Sequence, residues 1–258
     1  MADVETETRG EVAWIRLNRP DRMNAYDQAM AEALIEAVRT AADAGVIVIT
    51  GTGRAFCAGG YLANLSDPDP AELRGMFYGS LRFLEEIRLS PRPVIAAVNG
   101  AAAGGGNELV VACDLAVAAS SATFGQTGPK IGSAPVLGGT NLLAAQIGEK
   151  RAKEVSFLCR RYAAADALEW GWINDVVPDA ELEAATTALA EELLTMSPRY
   201  LEVAKISSNV WWNQVRDNYV SGLGMLVQAI GSDDMIEGAS AFMEKRPARW
   251  PGRQAPPT

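Results

Sequence analysis

Two glycine-bearing segments and one glutamate are the residues of this chain best placed to do chemistry. Gly104-Gly105-Gly106 runs into a helical pattern that carries Glu108, and Gly59-Gly60 closes an earlier loop. Glycine lets a backbone approach a ligand closely and take turns closed to larger residues. At a helix start, unpaired amides and the positive dipole end favour an anion. Glu108 follows Gly105 by one helical turn, which points its carboxylate toward the same region. The chain has no histidine. That excludes serine–histidine and cysteine–histidine nucleophile systems and histidine-ligated metal sites. Chemistry is left to carboxylates, tyrosines, lysines and the backbone itself. Cys57, Cys113 and Cys159 have no metal-ligand spacing and form no even set, so they are expected to pack in the core, and no metal site is expected.

The elements that must position these residues alternate. Val12 to Leu17 and Val46 to Thr50 read as strands, the second continuously apolar as in a sheet covered on both faces. Between them, Met30, Leu34, Ala37, Val38 and Ala41 recur at helical spacing over Tyr26 to Ala42. Gly51 to Gly60 reads as a loop, Leu73 to Leu89 as an amphipathic helix, and Val94 to Val98 and Leu115 to Ala118 as strands. Helical patterns dominate from Glu149, over Lys150 to Cys159, Ala180 to Met196 and Pro198 to Ser208, with a strand at Ile173 to Val177. The expected class is α/β, with a core over residues 1–195 and a helical region over 196–258. Trp211 and Trp212 are adjacent and cannot share one core stripe of a helix. Pro68 and Pro70 suit a pocket-covering loop over Ala63 to Arg74, and Pro251 to Thr258 reads as a frayed tail.

The net charge of −9 argues against nonspecific nucleic-acid binding, although a local basic pocket for a polyanionic ligand is compatible with it. No apolar run approaches the roughly 20 residues of a membrane span. Met1 to Glu11 is too polar for a signal peptide. A cytoplasmic protein without membrane partners is expected.

With these elements placed, the sequence resembles the crotonase superfamily, also called the enoyl-CoA hydratase/isomerase family, over essentially its whole length. The resemblance is carried by Asn18-Arg19-Pro20 with Asn24-Ala25, by Thr50 through Gly60, and by Pro93 through Gly100 leading to Gly104-Gly105-Gly106-Asn107-Glu108 and Cys113-Asp114. Gly138-Gly139-Thr140 and Ala241 through Arg246 complete it. It implies a crotonase-like ββα superhelix with a C-terminal helical trimerisation region. It also implies an acyl-coenzyme A substrate whose thioester enolate is stabilised by the amides of Gly60 and Gly105, with Glu108 as an acid/base group. Met23, Ala25, Phe242 and Lys245 match positions that contact coenzyme A, the last two from a neighbouring subunit of a homotrimer or hexamer. No cofactor is implied beyond the coenzyme A moiety of the substrate.

The chain departs from the hydratase pattern at two places. A second glutamate is expected after Phe124-Gly125-Gln126, where Gly128 stands, and Tyr61 replaces a common aspartate. The segment Phe124 through Lys130 looks instead like 1,4-dihydroxy-2-naphthoyl-CoA synthases and 2-ketocyclohexanecarboxyl-CoA hydrolase. Against those relatives, Pro135, Ser156 and Ile230 stand where an aspartate, a tryptophan and a tyrosine are expected. Three functions follow: an acyl-CoA lyase that hydrates or isomerises an enoyl-CoA, a carbon–carbon hydrolase opening a cyclic β-ketoacyl-CoA, and a noncatalytic acyl-CoA-binding scaffold.

Overall fold

The structure is a computed structural model that describes residues 2–61 and 69–250, without the side chains of Val210, Trp211 and Val215. The expectations for the loop tip around Pro68, for Trp211 and for the tail from Pro251 lie outside the described residues. The chain opens with strands β1 (Val4–Arg9) and β2 (Val12–Leu17), helix α1 (Gln28–Thr40), and strands β3 (Val46–Gly51) and β4 (Ala55–Cys57). Helix α2 (Pro70–Leu89), strands β5 (Val94–Val98) and β6 (Ala101–Ala103), and helix α3 (Gly105–Ala112) follow. Strands β7 (Leu115–Ala119) and β8 (Thr123–Gly125) precede helices α4 (Leu142–Ile147) and α5 (Glu149–Leu158). The rest is β9 (Tyr162–Ala163), α6 (Ala164–Glu169), β10 (Asp175–Val177) and helices α7 (Leu182–Leu194), α8 (Pro198–Ser208), α9 (Val210–Gln228) and α10 (Asp233–Met243).

Two sheets organise these elements. Six strands run in the order β1-β2-β3-β5-β7-β10, parallel except for the antiparallel edge strand β1. Every residue of β3 and β5 is buried, as continuous apolar runs covered on both faces require. A smaller sheet runs β4-β6-β8-β9. Each of β3, β5 and β7 is thus followed within a few residues by a short strand of the second sheet, and helices close the turn after β4 and β6. This is the expected ββα repeat of the crotonase fold.

The differences from expectation have physical causes. The stretch read as a loop from Gly51 contains β4, and β6 and β8 were equally invisible, because a three-residue strand carries no period. The polar N-terminus forms β1: Val-Glu-Thr-Glu-Thr-Arg has no apolar face, and it is ordered by pairing with β2. Helix α2 begins at Pro70, so the expected covering loop is helical over its last five residues. Asp69 caps it, accepting the Ala71 amide at 2.7 Å, and proline is tolerated at a first helical position. Cys57 and Cys113 are buried as expected, whereas Cys159 is half-buried and left-handed at the end of α5. Trp212 is fully buried edge-on to Tyr219 at 4.9 Å.

Candidate active site

The two glycine segments meet. Gly59 has φ +93, and a Cβ there would lie 2.7 Å from the Gly105 nitrogen and 3.0 Å from the Ala103 oxygen. Only glycine permits this approach. Tyr26 fixes the first segment: its amide donates to Gly59 O at 2.9 Å, and its carbonyl accepts the Tyr61 amide at 2.7 Å. In this parallel bridge between Tyr26 and Gly60, the Gly60 amide is not used. Gly104, with φ +54, precedes α3, whose first residue is Gly105. An amide at that position has no partner within its own helix. Among the described residues neither the Gly60 nor the Gly105 amide has a hydrogen-bond partner.

Glu108, in the first turn of α3, is buried. Its Oε1 accepts the amides of Leu137 at 2.8 Å and Gly139 at 3.2 Å. Its Oε2 accepts no hydrogen bond from the described residues. Burial pushes its carboxyl group up to about 8, against the lowering effect of the two amides. Burial therefore favours its neutral form, and because Oε1 already accepts two amides the proton of that form belongs on Oε2. Gly60, Gly105 and Glu108 line one cavity of about 70 Å³ with Tyr26, Ser80 and Gln126. Met76 and Phe77 make one side of this pocket apolar, which lowers the local dielectric and strengthens a dipole aimed into it.

Glu108 is the only carboxylate among the described residues of this cavity. Gly128 also lines it, and a Cβ at Gly128 would come within 2.9 Å of the Ala134 backbone. A second glutamate there would require that backbone to move. Gln126 is 1% exposed and its Nε2 has no partner among the described residues. Tyr61, beside the cavity, is held by its amide bond to Tyr26 and by the Arg22 guanidinium 4.5 Å over its ring.

The four residues matched to coenzyme A contacts fall into two pairs. Met23 is left-handed at φ 53, and its carbonyl accepts the Ala58 amide at 3.0 Å, so it adjoins the first glycine segment. Ala25 is buried and its carbonyl accepts from Arg19 at 3.3 Å. Phe242 is exposed on the wall of a groove of about 1020 Å³ that also carries Lys130, Arg246 and Trp250. Neither Met23 nor Ala25 lines that groove. Lys245, exposed, follows α10 with φ 56. Within one chain the structure therefore brings Gly60, Gly105 and Glu108 into one cavity, which Phe242 and Lys245 do not line; the groove of Phe242 adjoins it through Ser133, Ala134 and Leu226.

Tyr26, the amides of Leu137 and Gly139, and Tyr219 are parts of the site not singled out from the sequence. Tyr26 adjoins the recognised Asn24-Ala25 pair, which is a usable signal. Tyr219 carries none, since its contact to Leu137 spans 82 positions.

The fold thus sets two glycine segments and a buried carboxyl group around one cavity. Residues 7–253 match the family model described as enoyl-CoA hydratase/isomerase, and the chain belongs to that family. An enoyl-CoA hydratase from Mycobacterium avium subsp. paratuberculosis K-10 superposes with a TM-score of 0.86 at 29% identity, over 93% of this chain and 99% of that one. A carnitinyl-CoA hydratase from Mycobacterium avium gives 0.83 at 33% identity, over 97% and 99%. An enoyl-CoA hydratase from Bacillus anthracis gives 0.79 at 31% identity, over 98% and 100%. No helix of the described residues is long and apolar enough to cross a membrane.

Proposed function

We propose that this chain is an acyl-CoA lyase that works through a thioester enolate, held by the amides of Gly60 and Gly105 and served by Glu108. The observation that carries this reading is that Gly60 and Gly105, whose amides have no partner among the described residues, and Glu108, whose Oε2 accepts no hydrogen bond from them, line one small cavity. Donors fixed in advance around a developing oxyanion are typically worth about 10²–10³ in rate each. In hydration, ionised Glu108 takes a proton from water as its oxygen bonds the β-carbon. The double-bond electrons move toward the thioester oxygen, and Glu108 then returns a proton to the α-carbon. The hydratases among the structural neighbours support this direction. A second reading, carbon–carbon hydrolysis of a cyclic β-ketoacyl-CoA, is favoured by Gly128, which leaves Glu108 as the one described carboxylate in the cavity.

The coenzyme A moiety belongs to the substrate, and no further cofactor enters the proposal. Its adenine end would meet Met23 and Ala25 of one copy and Phe242 and Lys245 of a neighbour in a trimer or a pair of trimers. Tyr200, Val203 and Ile206, exposed at helical spacing on α8, and Met225 and Met243 supply apolar surface for such an assembly. A cytoplasmic setting suits such a substrate.

The test is turnover of a panel of enoyl-CoA and cyclic β-ketoacyl-CoA thioesters by the native chain and by Glu108→Gln. The variant is expected to fold and to bind a non-reacting acyl-CoA analogue, while losing roughly 10²–10⁴ in turnover, the usual worth of a positioned acid/base. Full turnover by Glu108→Gln would remove Glu108 from the mechanism. No turnover of any thioester by the native chain would leave a binding scaffold. The panel's products separate lyase from hydrolase.

A further inference from the structure

Two side-chain hydroxyls stand behind the loop that holds Glu108. Leu137 and Gly139 each give an amide to Oε1. The carbonyl of each is held in turn: that of Leu137 accepts the Tyr219 hydroxyl, and that of Gly139 accepts Ser156 Oγ at 2.8 Å. Tyr219 comes from α9 and Ser156 from α5, and both are 1% exposed. Between the two clamped residues lies Gly138 at φ +132, a conformation L side chains rarely adopt. The loop is therefore built of residues that would not hold their shape alone, pinned from behind at both carbonyls and engaged in front at both amides.

This arrangement bears on the proton of Glu108. The carboxyl group is buried, so its charged form is opposed by desolvation, and the two amides are what counters that. A hydrogen bond weakens steeply as its angle departs from linearity. A loop free to tilt would stop stabilising the carboxylate before it lost contact with it. We propose that Tyr219 and Ser156 are positioning residues for Glu108, fixing through the 137–139 loop the two amides that determine how readily its carboxyl group ionises. The inference rests on the role for Glu108 given above.

The other titratable groups around Glu108 are few. Tyr26 and Tyr219 face it, Cys57 on β4 lies beside Tyr26, and Glu85 and Arg88 on α2 lie near Tyr219. Burial drives Tyr26, Tyr219 and Cys57 upward, so they stay neutral while Glu108 titrates. The substitutions below leave Tyr26, Cys57, Glu85 and Arg88 in place.

The experiment is an infrared titration of the intact protein without substrate, following the protonated carboxyl stretch that Glu108→Gln abolishes. Tyr219→Phe keeps the ring packed on Trp212, and Ser156→Ala removes one oxygen. Each is expected to raise the midpoint of that band by roughly half to one pH unit, the scale of a weakened hydrogen bond to a charged group. Ser156→Thr, which keeps the hydroxyl, is expected to stay near the native midpoint. Thr186→Val removes another buried hydroxyl, bonded to Leu182 O at 2.8 Å on α7, and is expected to leave the midpoint alone. With substrate, kcat is expected to fall in Ser156→Ala while KM changes little. Native midpoints in folded Tyr219→Phe and Ser156→Ala would overturn the proposal, as would equal shifts in Ser156→Thr and Ser156→Ala. Should Tyr219→Phe not fold, the serine pair decides alone. Because the band needs no turnover, this result is independent of whether Glu108→Gln loses activity.

Discussion

Glu108 Oε1 accepts the Leu137 amide at 2.8 Å, while Oε2 accepts from no described group, so one oxygen anchors the carboxyl and the other is unengaged among the described residues. Burial raises this group from 4.5 in the open chain to about 8 in the fold. Between those two values the folded chain retains a proton that the unfolded chain has released. The stability that this group contributes then falls as pH rises through the window from 4.5 to about 8 and levels off above it. Glu108→Gln lacks this component. Its melting temperature is expected to vary less with pH across that window, and to gain on the native protein toward alkaline pH. Parallel melting curves as a function of pH would show that Glu108 is not the buried titrating group.

Activity should run the other way. If Glu108 first accepts a proton, only its ionised form starts the reaction, and kcat/KM rises with pH to a plateau above about 8. Initial rates on an accepted thioester, measured across this range with stability checked at each pH, test it. A rate that declines through the same midpoint would mean that Glu108 enters as an acid.

Gly105 and Tyr26 make a third prediction. A Cβ at Gly105 would overlap the Tyr26 hydroxyl and lie 3.1 Å from Tyr26 Cζ. Gly105→Ala should therefore destabilise the fold by about 1–3 kcal/mol, the usual cost of overpacking. Adding Tyr26→Phe removes the overlapping oxygen and should recover a large part of that loss. Denaturant melts of both single variants and the double variant measure the coupling. Simple additivity would mean that the two residues do not press on each other.

The sequence made the candidate site residues legible and left their supports hidden. Gly60, Gly105 and Glu108 sit in short motifs whose physics is local: a glycine turn, a helix start, a carboxylate one turn on. In the large sheet β3 and β5 were legible because they are continuous apolar runs, whereas its polar edge strand β1 was not. The small sheet was not, since β4, β6 and β8 have three residues each and are defined only by their neighbours. Tyr219 reaches the 137–139 loop from a helix whose sequence gives no reason to expect it, and Ser156, noted only as standing where a tryptophan is expected, gave no sign of its bond to Gly139. Long-range contacts of single hydroxyls leave no period and no spacing to read.

Lys245 gives the last prediction, because its backbone separates two roles. It follows α10 in the left-handed region at φ 56. Its amide donates to Phe242 O at 3.2 Å and that of Arg246 donates to Ala241 O at 3.0 Å, the paired bonds of a Schellman end, whose left-handed position is usually glycine. A lysine there bears a steric cost of roughly 1–2 kcal/mol that glycine would avoid. Among the described residues its ammonium group has no ion-pair partner, so nothing in the fold accounts for the choice. A phosphate contact to coenzyme A would. Lys245→Gly is therefore expected to melt no lower than the native protein, and to bind coenzyme A at least about tenfold more weakly, since a charge-assisted hydrogen bond is worth roughly 1.5–3 kcal/mol. Lys245→Ala, which keeps the steric cost, should lose the same affinity without gaining stability. The loss should shrink as salt is raised, because an exposed ion contact is screened. Calorimetric titration with coenzyme A at two salt concentrations, beside thermal melts of both variants, measures each effect. An unchanged dissociation constant in both variants would assign Lys245 to the surface alone, and a stability loss in Lys245→Gly would mean that its side chain supports the fold.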